Sequence, residues 1–301
     1  MVKQVLLLIK SARPKQWVKN LIIFAGIIFA LKLFVLADFV KVFSAFVLFC
    51  SISSCVYFVN DLKDIKTDQL HAKKKDRPLA SGQLSPLLVV MALLVLLPPT
   101  IFGSFILNFY FGLIITFYVL MMLAYTFGLK NIVIIDAFII AAGFVLRGVA
   151  GIVVIGVGMS AWFFVCAMLL ALFIVFCKRR NELVVLGDQA INHRKILAEY
   201  NTPLLDQLIS IVSAAIIVTY SLYTLAPETI AKFNTRGLVF TVPFVLLGVF
   251  RFLYLVYKKE RGGSAETIML TDWYLIFVML GWILSAFIII YGGKYLANTP
   301  F

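Results

Sequence analysis

The sequence predicts an all-α, polytopic membrane bundle. Two observations carry this. Of 301 residues, 63% are hydrophobic, and the mean hydropathy is +1.04. These apolar residues gather into about nine runs long enough to cross a bilayer, and little chain is left over for a soluble domain. The runs cover 18–37, 39–60, 84–103, 106–127, 132–155, 160–177, 204–226, 237–257 and 271–296. A single integral-membrane domain over residues 1–301 is expected.

The leading stretch, MVKQVLLLIKSARPKQWVKN, is too interrupted by charge for a cleaved signal peptide and reads as a short amphipathic surface segment. Pro98-Pro99 should break or kink the third span. The fifth carries Gly143, Gly148 and Gly151, which permit close helix packing. Cys50, Cys55, Cys166 and Cys177 lie in or at the edge of apolar runs without metal-ligand spacing, and read as small membrane hydrophobes.

The net charge of +13 would point to nucleic acid in a soluble chain. Here it follows the positive-inside bias. With the N-terminus inside, the outer segments hold only Lys32, Lys41, Lys232, Arg236 and Lys294. Arg147 and Arg251 fall within spans, and the other 20 of the 27 basic residues lie on the inner side. An odd number of spans follows. The two longest polar segments, 60–82 and 178–203, then share the cytoplasmic face.

The chemistry concentrates in the first of these, NDLKDIKTDQLHAKKKDRPLASG, from Asn60 to Gly82. If the preceding helix continues into it, Asn60, Asp64 and Asp68 recur at i, i+4 and i+8, with Asp61 beside them. Carboxylates converging on one spot need a cation between them. Oxygen-only ligands suit a hard ion such as Mg2+, which commonly bridges to substrate phosphates. The metal set is therefore Asn60, Asp61, Asp64 and Asp68, with the three aspartates as the catalytic group, and the basic run just after it, ending in Arg77, would face the same phosphates. Without a metal, the stretch is a solvated loop of mixed charge.

Elsewhere, Lys130 follows the fourth span, where it is either a ligand or an interfacial anchor. Asp136 and Arg147 fall inside an apolar run, and intramembrane charges usually face the bundle interior. Eleven residues, about three turns, separate them, so a structural partnership is open. Arg251, near the end of its span, reads as a snorkelling side chain. The loop CKRRNELVVLGDQAINHRKILAEY brings Lys178, Arg179, Arg180, Glu182, His193, Arg194 and Lys195. Arg binds phosphate oxygens bidentately and Lys as a point charge, while a positive-inside stop signal is the plainer reading.

The segment Asn60–Asp68 matches the NDxxDxxxD motif of the UbiA superfamily of intramembrane prenyltransferases, and DRPLASG at Asp76–Gly82 and YTFGLK at Tyr125–Lys130 also resemble it. RPKQWVKN at Arg13–Asn20, AGFVLRGVAG at Ala142–Gly151 and KRRNE at Lys178–Glu182 are similar to the branch that transfers phosphoribose to a decaprenyl-type polyprenyl phosphate. After the sixth span, where aromatic prenyltransferases carry a second aspartate motif, this chain reads KRRNELVVLGD, with Glu182 and Asp188 behind a basic start. That departure favours the phosphoribosyl branch.

The resemblance implies a Mg2+-dependent transferase acting on phosphoribosyl pyrophosphate and a polyprenyl phosphate. It implies a bacterial inner membrane, a cytoplasmic N-terminus and a site on the cytoplasmic side. It assigns Lys130, Arg147, Lys178, Arg179 and Arg180 to phosphates, with Glu182 beside them and Arg13, Lys19, Arg77, Arg194 and Lys195 as further contacts. Two alternatives stay open. One is prenyl transfer from a diphosphate to an aromatic or tetrapyrrole acceptor. The other is an anion transporter, against which stands the concentration of acids at one membrane face.

Overall fold

The computed structural model describes residues 2–69, 74–158, 160–187, 190, 194–258, 268 and 271–296. Among the described residues there is no strand. Among these residues, eight helices are long and apolar enough to cross a membrane. The chain divides into two compact units, 1–159 and 160–301.

In the first unit, α1 (Val2–Ala12) exposes Val2, Val5, Leu6 and Ile9, an i, i+3, i+4, i+7 stripe. Its opposite side packs Leu7, Leu8 and Ala12 against Phe58, Leu79, Leu84 and Val89. Of the surface segment expected over residues 1–20, the first part is thus an amphipathic helix, whereas Pro14–Asn20 belongs to a 3-10 stretch.

The expected first span, 18–37, is not one α-helix. Pro14–Phe24 is a 3-10 helix, α2 (Ala25–Phe29) follows, and the chain then turns through Leu31, at φ 58°. The reason lies in its side chains. Trp17, Asn20, Ile23 and Gly26 recur every third residue, and three residues per turn sets them in one line. Asn20, Ile23 and Gly26 are buried. Trp17 Nε1 donates to Ser54 Oγ at 3.1 Å, and Asn20 Nδ2 lies 3.2 Å from Cys50 Sγ.

α3 (Leu36–Lys63) runs antiparallel beside this segment. Arg13 is level with Asp61 and Phe24 with Phe46, their rings 5.6 Å apart. Eleven residues at about 2.0 Å rise and fifteen at about 1.5 Å both give roughly 22 Å. The 3-10 stretch therefore covers with eleven residues the length for which α3 uses fifteen. A Cβ on Gly151 would lie 1.9 Å from Ile23 O, so only glycine lets the two backbones meet there.

After α4 (Ile65–Gln69) and the turn at 74–82 come α5 (Pro86–Leu107), α6 (Phe109–Phe127) and α7 (Ile135–Val154). Of the break or kink expected at Pro98-Pro99, no break occurs: α5 is one helix from 86 to 107. Neighbouring hydroxyls serve its carbonyls, with Thr100 Oγ1 donating to Leu96 O at 2.6 Å and Ser104 Oγ to Thr100 O at 2.7 Å. The core of the unit gathers Ile23, Ile27, Phe49, Ile52, Phe111 and Ile115.

The second unit holds α8 (Ala161–Leu186), α9 (Thr202–Leu225), α10 (Pro227–Phe233), α11 (Val242–Lys258) and α12 (Trp273–Leu296). α8 runs nine residues past the expected end of its span, so Lys178–Glu182 lie on a helix and not in a loop. Arg251 does not simply snorkel. It forms a two-point ion pair with Asp272, at 3.0 and 2.8 Å, between the rings of Tyr254 and Tyr274.

Candidate active site

The Asp-rich motif straddles the end of α3. Asp64 closes the helix, yet its N–H still reaches Asn60 O at 2.9 Å, and Asp68 N reaches Asp64 O at 2.8 Å. The i, i+4 ladder therefore survives the break, much as the spacing predicts. Asp61 and Asp68 are each 3% exposed, and Asn60 and Asp64 are half-buried.

The turn after α4 returns a base to these acids. Pro78, Leu79 and Ala80 are buried. Gln69 Nε2 donates to Ala80 O at 3.2 Å, and Ser81 N to Arg77 O at 2.9 Å. Gly82 takes φ 72°, a left-handed turn that glycine adopts freely. So fixed, Arg77 Nη1 donates to Asp68 Oδ2 at 2.5 Å and to Asp61 Oδ1 at 3.2 Å. Lys74 stands 3.8 Å from Asp68.

Two other elements add cations. The 3-10 turn Leu129–Asn131 presents Lys130 to both oxygens of Asp64. Arg13, with left-handed backbone (φ 56°, ψ 59°) just before Pro14, donates from Nη2 to Asp61 Oδ1 and lies 4.7 Å from the Tyr57 ring centre. Both the left-handed region and a helical conformation before proline are disfavoured for arginine. Its contact with Asp61 spans 48 residues of sequence, and nothing in the local pattern announces it.

The donor set fits a hard cation in its chemistry: three carboxylates and one amide, all oxygen. Its present geometry is different. Each carboxylate is held by a base, and no group of three or more His, Cys, Asp or Glu is poised around a metal position among the described residues.

Within the first unit, Arg147 lies apart from this cluster. Arg147 sits at the depth of Asn20 and Cys50, about 16 Å of helix below Asp61. It is buried, and it does not pair with Asp136. Nε donates to Asn20 Oδ1 at 2.7 Å, Nη1 to Gly143 O at 2.6 Å and Nη2 to Tyr118 OH at 2.7 Å, within reach of the Phe49, Tyr118 and Phe144 rings. Lys19 is half-buried two 3-10 turns along from Arg13.

In the second unit, Glu182 accepts from Arg179 at 3.1 Å and faces Arg194 at 3.6 Å. Arg180 bonds Asp206 at 2.5 Å and lies 4.2 Å from the centre of the Tyr257 ring, which ties α8 to α9. Lys178 is half-buried. The Lys195 side chain, Asp188 and His193 lie outside the described residues.

A family model, the UbiA prenyltransferase family, matches residues 21–276. The chain belongs to this UbiA family. It is an integral membrane transferase. Among curated relatives, decaprenyl-phosphate phosphoribosyltransferase of Mycobacterium tuberculosis is 31% identical over 279 residues, covering 91% of each chain. The enzyme of the same name from Corynebacterium glutamicum is 30% identical over 94% of this chain and 86% of its own. Among solved structures, a UbiA homolog from Archaeoglobus fulgidus bound to GPP and Mg2+ aligns with a TM-score of 0.70 and 17% identity, covering 94% of this chain and 99% of its own. That likeness speaks to the UbiA fold alone.

Proposed function

We propose that the whole chain works as one transferase unit, moving 5-phosphoribose from phosphoribosyl pyrophosphate to a polyprenyl phosphate and releasing pyrophosphate. The observation that carries the reading is the crowding of Arg13, Lys74, Arg77 and Lys130 onto Asp61, Asp64 and Asp68. A site of this kind suits a group of high negative charge that arrives with a metal. The relatives' names support the phosphoribosyl donor and the polyprenyl phosphate acceptor, as does the basic KRRNE start in place of a second aspartate motif.

Asn60, Asp61, Asp64 and Asp68 would hold Mg2+, which when bound supplies positive charge to the departing diphosphate. Arg77 and Lys130 stabilise the negative charge that develops as the C1–oxygen bond of the ribose breaks. An oxygen of the lipid phosphate forms the new bond to C1. It is already anionic at neutral pH, so no general base is required, in keeping with a chain of only two histidines. Lys178, Arg179, Arg180, Arg194 and Lys195 are the further phosphate ligands of the reading, with Glu182 holding Arg179 and Arg194. The membrane is the bacterial inner membrane, with the Asp-rich site on the cytoplasmic side.

The test is transfer of label from radiolabelled phosphoribosyl pyrophosphate to a polyprenyl phosphate by the purified chain in detergent. Metal-dependent label in the lipid phase, lost in Asp64→Asn, is expected. Transfer from a prenyl diphosphate to an aromatic acid, with no label from the sugar donor, would overturn the reading.

A further inference from the structure

We infer that Arg13 and Arg77, with Lys130, are exchangeable counter-ions that make divalent cation and diphosphate bind as a pair. The inference rests on the metal–diphosphate reading of the Asp-rich motif. It makes Arg13 a diphosphate-binding residue and couples the affinities of the two ligands.

Every carboxylate of the motif already has a base in contact. Asp61 Oδ1 takes both Arg13 Nη2 and Arg77 Nη1, the same Arg77 nitrogen reaches Asp68, and Lys130 spans both oxygens of Asp64. A metal ion arriving alone would have to displace these bases. They would then stay partly buried without partners, which is costly in a low-dielectric setting. A diphosphate supplies the missing acceptors. The aspartates can pass to the metal as the arginines turn to phosphate oxygens, for which the planar guanidinium fork is well suited.

Arg13 is built for such a turn. Its backbone is pinned in the left-handed region before Pro14 and its guanidinium lies against the Tyr57 ring. Letting go of Asp61 therefore leaves the charge at the site, supported by the ring face. Exchange makes the two affinities mutually reinforcing, and by linkage the effect is reciprocal.

The experiment uses the full chain in detergent and two probes: free Mn2+ followed by electron paramagnetic resonance, and radiolabelled pyrophosphate with Mg2+ present. Arg13→Gln and Arg77→Gln are expected to bind Mn2+ alone at least tenfold more tightly than wild type, and Mg-pyrophosphate at least tenfold more weakly. The opposite signs are diagnostic. Loss of a simple ligand or of the fold weakens both. Lys130→Gln, which frees Asp64 from a different element, should show the same inversion and serves if an arginine variant does not fold. Variants that bind Mn2+ alone no more tightly than wild type would overturn the exchange while leaving the metal–diphosphate site standing. A wild-type chain that binds no pyrophosphate with Mg2+ would overturn both.

Discussion

Lys130 Nζ donates to both carboxylate oxygens of Asp64, at 2.9 and 3.1 Å, from a 3-10 turn 66 residues further along the chain. The contact fixes where Asp64 points, because a bidentate acceptor leaves its carboxylate plane little freedom. Lys130→Met should lower transfer by on the order of 10- to 100-fold, the usual worth of a charged hydrogen bond. Steady-state rates at saturating lipid check this. A rate within twofold of wild type would remove Lys130 from the site.

Arg13 allows backbone and charge to be separated. Arg13→Gly and Arg13→Ala both delete the ion pair to Asp61, but only glycine occupies φ 56° without penalty. Arg13→Ala should therefore be less stable than Arg13→Gly by about 1 kcal/mol, read as a lower thermal midpoint. Equal midpoints would mean that the segment relaxes on losing the side chain.

Among the described glycines of the first unit, Gly151 has the closest backbone neighbour. An alanine Cβ there would overlap the Ile23 carbonyl, a backbone atom that cannot rotate away. Gly151→Ala should cost about 3 kcal/mol or more, at the upper end for overpacking, seen as aggregation or early unfolding in detergent. A fully stable variant would require the 3-10 segment to be movable.

The Asp272 carboxyl is held below its usual carboxylate range, chiefly by the hydrogen bond from Arg251, and further by the Leu275 N–H that it caps. A depressed pKa adds stability that is present above the unfolded value, about 3.9, and is lost as pH falls through the lower folded one. The gap in thermal midpoint between wild type and Asp272→Asn should stay flat from neutral pH down to about pH 4 and close only below it. A gap that closes nearer pH 6 would assign the effect to another group.

Much of the fold is legible from sequence because apolar run length is a reliable signal of a spanning helix. Eight of the nine expected runs appear as long helices, among the described residues. The first run shows the limit of that signal. Hydropathy does not distinguish i+3 from i+4 hydrogen bonding, and only the short three-residue repeat of Trp17, Asn20, Ile23 and Gly26 marks the 3-10 stretch. Charge misleads at Lys178–Glu182, where the basic run looks like a loop. The stretch has neither Gly nor Pro before Gly187, and the Arg179–Glu182 pair, three residues apart, supports a helix.

At the site, the aspartate spacing reads directly, since it is local. The partners of those aspartates do not, since Arg13, Arg77 and Lys130 come from three separate turns. Arg147 is legible as buried, but its choice of Asn20, Tyr118 and Gly143 O over Asp136 depends on which elements pack there. Spacing along one helix carries no information about that.

The 3-10 stretch from Pro14 to Phe24 also sets a rule for how this part of the chain can vary in length. One inserted or deleted residue turns everything before it by about 120° and shifts it by about 2 Å. Arg13 would then leave Asp61, or Asn20 would leave Arg147. Only changes of three residues preserve the line, and those would displace Arg13 by about 6 Å along α3. The interval between Arg13 and Gly26 therefore behaves as a ruler of fixed length, and related chains that keep both anchor points should keep the count between them.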